Sequence, residues 1–182
     1  MCAKLLILES PGKVKKVQSF LGPDWKVVAS VGHVRDLPVK EMGVAAPDFK
    51  PHYQPTERGA DVLKRLGALA KQADVVYLAT DPDREGEAIA WHVADALKLK
   101  DAKRVTYGEI TESAVKAAVQ SPRAIDMALV AAQEGRRVLD RFCGYLVSGP
   151  LSRAVGTRLS AGRVQSPALR LVVDGNGQSL PL

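Results

Sequence analysis

Residues 79–87 read Ala-Thr-Asp-Pro-Asp-Arg-Glu-Gly-Glu, which places four carboxylates (Asp81, Asp83, Glu85, Glu87) and the guanidinium of Arg84 within seven positions. Asp81, Asp83 and Glu85 alternate, and on an extended segment alternate side chains turn to one side. Carboxylates gathered in this way repel one another unless a cation lies among them. An oxygen-only donor set suits a hard ion such as Mg²⁺ better than zinc or copper. The same residues also serve plain structure. Asp81-Pro82 fits a helix cap followed by proline at the first helical position, and Glu85 and Glu87 favour the positive end of a helix. Capping accounts for one acid or two, less readily for the whole cluster with Arg84. Mutual repulsion further predicts that Asp81→Ala with Asp83→Ala stabilises the metal-free chain.

The flanking segments say what must hold these acids. Asp74–Ala79 is a short apolar run of β-formers and reads as a buried strand. In residues 88–97, Ile89, Val93 and Leu97 recur every four positions and predict an amphipathic helix. The acids therefore lie at the carboxyl end of a strand, where open α/β sheets bind ligands. Lys4–Leu8 is a second apolar strand, followed by Glu9-Ser10-Pro11-Gly12-Lys13 and a helix over 14–21. Glu9 thus sits at another strand end, and Lys13 adds charge to a helix start suited to anions. No GxxxxGK motif is present, so no nucleotide cofactor is expected. Strands at 25–29 and 103–107, a helix over 57–73 and another opening after Thr111 continue the alternation. Residues 39–56 read as a long surface loop. The pattern is that of an α/β fold: a Rossmann-like parallel four-stranded sheet with helices on both faces.

The character changes near Ser121-Pro122. Residues 125–143 read as a helix whose Ile125, Leu129, Ala132, Leu139 and Phe142 face a core, with Arg136 and Asp140 paired four residues apart. Arg137 and Arg141 repel across the same spacing, which suits either a bound anion or a solvated face. Residues 123–170 carry eight arginines against Asp126, Glu134 and Asp140, and no lysine follows Lys116. That concentrates a chain of net charge +6 into a basic second half, and guanidinium forks suit phosphates. A basic half beside acidic metal ligands points to nucleic acid. The last residues, 175–182, read as a frayed tail. At 182 residues and 46% apolar, the chain can bury a core and has room for one ordinary domain or one plus part of another. It has no run of about 18 apolar residues, so no membrane span is expected. Cys2 and Cys143 form no metal spacing, and no signal-peptide pattern opens the chain. A cytoplasmic protein is the expectation.

Six segments together resemble the bacterial type IA DNA topoisomerases. They are residues 8–13 (LESPGK), 32–38 (GHVRDLP), 80–87 (TDPDREGE), 109–111 (EIT), 136–141 (RRVLDR) and 160–166 (SAGRVQS). The resemblance implies a Toprim domain over 1–121, a partial all-α DNA-binding domain over 122–174 and the tail over 175–182. It implies Mg²⁺ on Asp81, Asp83 and Glu85 with Glu9 beside them, and Glu9, Lys13 and Arg84 as catalytic groups at the scissile phosphate. It further implies contacts to single-stranded DNA from His33, Arg136, Arg137, Asp140, Tyr145, Ser160, Ala161, Gly162, Arg163, Val164 and Gln165, and a place beside the nucleoid. The family usually carries tryptophan where Ser152 stands, so base stacking is expected to be weaker there. Its nucleophilic tyrosine lies in a context that none of Tyr53, Tyr77, Tyr107 and Tyr145 shares. The chain therefore reads as lacking the gate and nucleophile domains, and as inactive alone. The alternatives are a stand-alone single-strand-binding Toprim module and a Toprim metal-dependent nuclease.

Overall fold

A computed structural model of the chain describes residues 4–177. Two compact units are present, one formed by residues 1–38 with 53–134 and the other by 39–52 with 135–182. The first unit thus runs past the composition change at residue 121, and the second takes in most of the 39–56 loop.

The first unit is built on a parallel sheet in the order β2-β1-β5-β6, with β1 Lys4–Leu8, β2 Trp25–Ala29, β5 Val75–Ala79 and β6 Lys103–Arg104. A two-stranded antiparallel ladder, β3 Arg35–Asp36 with β4 Gln54–Pro55, closes the ends of the intervening excursion. Alternation sorts the strand side chains into two cores. Leu5, Ile7, Val76 and Leu78 pack with α2 (Glu57–Ala70) and α3 (Arg84–Ala96). Leu6, Leu8, Val27 and Tyr77 pack on the opposite face with α1 (Val14–Leu21) and α4 (Glu112–Gln120). Helices therefore cover both faces, as the alternating pattern requires. Leu6, Ile7, Leu8 and Leu78 are wholly buried, each contributing about 1.5–3 kcal/mol. Thr56 and Thr111 cap α2 and α4 through the amides of Gly59 and Ala114.

Some boundaries differ from the sequence reading. Helix α2 stops at Ala70 rather than Ala73, and β6 keeps only two of its five expected residues. The β6 backbone instead turns to Arg123, with reciprocal amide–carbonyl bonds between Arg104 and Arg123 at 2.9 and 2.8 Å. Helix α5 runs from Met127 to Val155, twelve residues beyond the expected end, through Pro150. Its buried face is also offset. Val130 and Gln133 are buried, whereas Leu129, Ala132 and Leu139 are exposed. This helix is apolar around much of its circumference, so its period alone does not select the buried stripe. Helix α6 covers Gln165–Gly177, so residues 175–177 are helical rather than frayed. The rest of the expected tail, 178–182, and Cys2 lie outside the described residues. Among the described residues no helix is long and apolar enough to cross a membrane.

Candidate functional site

The carboxyl ends of β1 and β5 are adjacent, because Leu8 pairs with Ala79. That register brings the Glu9 and Asp81 segments together from more than seventy residues apart in sequence. Lys13, from the 3₁₀ turn Pro11–Lys13, places Nζ 2.7 Å from Asp81 Oδ1. Burial, then the charge of Asp81, push the Glu9 carboxyl above its ordinary value. Asp83 adds to the rise, while an Asp81 amide and Lys13 oppose it.

The acidic segment is not extended throughout. Asp83, not Asp81, is the helix cap, its Oδ1 accepting from the Gly86 amide at 2.7 Å. Arg84 and Glu85 already belong to the first turn of α3, so the alternation ends at Asp83. Gly86 is required by a close approach: a Cβ there would meet the Asp81 carbonyl oxygen at 2.1 Å. Glu85 turns to His33, whose Nε2 lies 2.5 Å from Glu85 Oε1. A carboxylate only accepts, so the imidazole donates. His33 reaches this position because Val31 and Gly32 fold back in the positive-φ region, their amides donating to the Glu9 carbonyl.

Among the described residues no three His, Cys, Asp or Glu side chains are gathered closely enough to hold a metal ion. Asp81 is engaged by Lys13, Asp83 by the helix start and Glu85 by His33. The donor chemistry nonetheless suits a hard divalent cation. Three carboxylates lie within five residues at one strand end, and those of Asp81 and Glu85 are about half exposed, at 47% and 49%.

Several residues around this site take roles that the sequence reading did not give them. Glu87, expected to serve the helix end like Glu85, is completely buried against Arg104, which is equally buried. Arg104 Nε donates to Glu87 Oε2 at 2.9 Å, and its other nitrogens donate to the carbonyls of Leu78, Thr80, Asp81 and Val105. Arg123 donates twice to the same carboxylate, and the Asp126 amide once. Burial alone would raise Glu87, but hydrogen bonds from Arg123, the Asp126 amide and Arg104 outweigh it and hold the carboxyl at about 2. This network fixes the backbone of Thr80 and Asp81 and so aims the acidic segment. The available clue was an arginine within the short strand expected over 103–107. Gln133, buried at the start of α5, sits with Nε2 3.5 Å from Glu85 Oε2. His92 is buried between Tyr53 and Trp91, at ring distances of 4.4 and 4.8 Å, and accepts from Arg35 at Nδ1. Burial, followed by the charges of Arg35 and His33, pushes His92 down to about 3. Tyr107 is pushed up to about 12 by burial and by the Asp81 charge.

In the second unit, Asp140 is the hub. Arg163 Nε donates to its Oδ1 at 2.7 Å, and Arg136 Nε lies 3.8 Å from its Oδ2 across one turn of α5. Arg141 lies over the Tyr145 ring at 5.3 Å, and the Tyr145 hydroxyl donates to the Val39 carbonyl. Arg137 is half-buried. The 160–165 segment is exposed at Ser160, Arg163, Val164 and Gln165 and half-buried at Ala161 and Gly162. The Gln165 side chain folds back against Gly162, where a Cβ would meet Oε1 at 3.1 Å. Ser152 serves the backbone of this segment through hydrogen bonds to Leu159.

Comparison with known proteins divides the chain between residues 112 and 124. Residues 4–112 match the Toprim domain family, and residues 124–178 match a DNA topoisomerase family. The chain is 67% identical over 171 residues to a plasmid DNA topoisomerase I of Xylella fastidiosa, covering 94% of this chain and 26% of that protein. It superposes on full-length topoisomerase I of Thermotoga maritima with a TM-score of 0.83 at 43% identity, covering 93% of this chain and 29% of the other. The chain thus spans about a quarter of the length of these relatives.

Proposed function

The chain belongs to the Toprim domain family, and from that premise we propose that it is the Mg²⁺-binding and single-stranded-DNA-binding portion of a type IA DNA topoisomerase. Such an enzyme cuts one strand, passes another and reseals the break. The observation that carries this reading is the meeting of Glu9, Lys13 and Asp81 at two adjacent strand ends, with His33 on Glu85 beside them.

Glu9, raised by burial and by Asp81, holds a proton more readily than an ordinary carboxyl. That suits it to protonate a leaving 3′-oxygen and to take the proton back on resealing. Lys13 and Arg84 bring positive charge to a phosphate at this strand end. Mg²⁺ held by Asp81, Asp83 and Glu85, with Glu9 beside them, would offset phosphate charge and align the 3′-hydroxyl. In the second unit Arg136, Arg137, Arg163 and Gln165, with Asp140 orienting two of the guanidiniums, take the DNA backbone. Tyr145 offers a half-exposed ring for a base.

The nucleophilic tyrosine is assigned to a further domain. Tyr77 is in the core, Tyr53 packs on His92, Tyr145 donates to Val39, and Tyr107 is held in its neutral form by its surroundings. None is placed as an activated nucleophile. The action on DNA and the expected cytoplasmic, nucleoid-associated location belong to the same reading.

The test is fluorescence anisotropy with single- and double-stranded oligonucleotides over a salt series, alongside thermal unfolding with and without millimolar Mg²⁺. Tighter single-strand binding that weakens with salt, and Mg²⁺ stabilisation lost in Asp81→Ala, are expected. Mg²⁺-dependent nicking abolished by Asp81→Ala would overturn the proposal in favour of a nuclease. Relaxation of supercoiled DNA by the pure chain would overturn the assignment of the nucleophile.

A further inference from the structure

Residues 156–164 join α5 to α6 without regular structure of their own, and such a segment ordinarily gives its backbone to water. Here two serines of α5 hold it. Ser148 Oγ accepts from the Ala161 amide at 2.9 Å and lies 3.3 Å from the Ala161 carbonyl oxygen, to which it donates. Ser152 Oγ accepts from the Leu159 amide at 3.0 Å. Its single proton is shared between the Leu159 carbonyl at 3.0 Å and the Ser148 carbonyl at 2.7 Å. Four residues apart, the two hydroxyls stand one above the other on a single helix face.

The pairing dictates a backbone conformation. The amide and carbonyl of one residue point the same way only when the chain is extended, and those of the next residue then point the opposite way. Pinning Leu159 and Ala161 therefore turns the amide and carbonyl of Ser160 away from α5. Gly162 follows, and its carbonyl accepts from the Ser166 amide at 3.0 Å to start α6. Arg163 comes next, already oriented by Asp140. The segment thus offers an outward-facing backbone donor at Ser160 and, three residues on, a half-exposed guanidinium anchored on α5 by Asp140, a pairing that suits successive phosphates.

We infer that Ser148 and Ser152 are positioning residues: they hold 159–161 extended and thereby set the Ser160 amide and Arg163 for a phosphodiester backbone. The inference rests on the reading of the second unit as a single-strand-binding surface. Neither serine touches the nucleic acid. Each acts through the segment it pins.

The test uses the full chain, a labelled oligothymidylate, and amide hydrogen exchange read at Leu159 and Ala161. In Ser148→Ala with Ser152→Ala, exchange at both amides accelerates. Affinity falls about tenfold, and the salt slope drops by about one, as for the loss of one ordered phosphate contact. Ser148→Thr with Ser152→Thr keeps both hydroxyls and restores all three readouts, which a merely structural role of the helix would not predict. Unchanged exchange in the double alanine variant overturns the inference, as does faster exchange with unchanged affinity and slope. Arg163→Ala separates the two levels. If the parent chain and Arg163→Ala bind the oligonucleotide equally, or the parent not at all, the single-strand reading itself fails and the inference fails with it. Loss of binding in Arg163→Ala, with the serine variants indistinguishable from the parent, removes the inference alone.

Discussion

Two arginine–carboxylate pairs in this chain have nearly the same length and opposite surroundings. Arg104 and Glu87 meet at 2.9 Å with both side chains fully buried, whereas Arg163 and Asp140 meet at 2.7 Å with about a third of each side chain exposed. Distance alone makes them equivalent, but burial separates their roles. In the first unit Arg104 also donates to the carbonyls of Leu78, Thr80, Asp81 and Val105, and Glu87 also accepts from Arg123 and the Asp126 amide, so the pair acts as a rivet. In the second unit the pair keeps solvent on its open side, and the guanidinium is oriented without being consumed. A charge removed from water must be satisfied entirely by protein. A charge left partly in water retains capacity for a ligand.

The comparison is broken most sharply by Arg104→Met. It leaves Glu87 buried with one arginine and takes the guanidinium away from four backbone carbonyls. We expect a loss of about 3–5 kcal/mol, read by urea unfolding followed through Trp25 and Trp91, both in the first unit. Asp140→Asn is expected to leave that transition in place and to weaken single-strand binding instead. Equal urea midpoints for Arg104→Met and Asp140→Asn would remove the distinction drawn here.

Acid sharpens the contrast next. Glu87 is held at about 2 in the folded chain against an ordinary 4.5, so the unfolded state binds more protons between those values. Its contribution is complete above pH 4.5 and is lost as pH falls toward 2. His92 is pushed down to about 3 from 6.5, so its contribution is complete above pH 6.5 and is lost as pH falls toward 3. Each window is worth on the order of a few kcal/mol. Thermal unfolding across pH 2–7 should show stability falling from about pH 6.5 downward. His92→Phe should flatten the upper part of that fall and Glu87→Gln the lower. An unchanged profile in both variants would contradict the assignment, and Asp140→Asn should move neither window.

The smallest effect reverses an expectation. Repulsion among gathered acids predicted that Asp81→Ala with Asp83→Ala stabilises the metal-free chain. In the structure Asp81 is paired with Lys13 and Asp83 caps α3. Losing the cap costs about 1 kcal/mol, and losing the half-exposed pair adds up to about 1 kcal/mol. The double variant should therefore unfold at lower temperature without Mg²⁺ and gain nothing when Mg²⁺ is added. A higher unfolding temperature in the metal-free variant would restore the repulsion argument.

The sequence by itself determined the elements whose cause is local. Strands β1 and β2 and helix α1 fall where the sequence pattern put them, and α4 opens directly after Thr111 as read. The parallel four-stranded sheet and its two-faced cover followed from the βα alternation, whereas the strand order β2-β1-β5-β6 came only from the structure. The acidic strand end was legible for the same reason: its position depends on the strand before it and the helix after it.

Tertiary structure decided everything that joins distant residues. Glu87 and Glu85 are two positions apart on one helix, yet one is a buried ligand of Arg104 and the other a half-exposed partner of His33. Their partners lie seventeen and fifty-two residues away. No local period encodes that choice, because burial is set by which neighbouring strand and loop arrive. The offset face of α5 has the same origin, since its apolar residues surround the helix and only packing selects Val130 and Gln133. Nothing in the sequence marks Ser148, and Ser152 stood out only as a departure from tryptophan; both become pins only when residues 159–161 fold back along α5. Composition fixes what each side chain can donate or accept, and the three-dimensional path of the chain decides to whom.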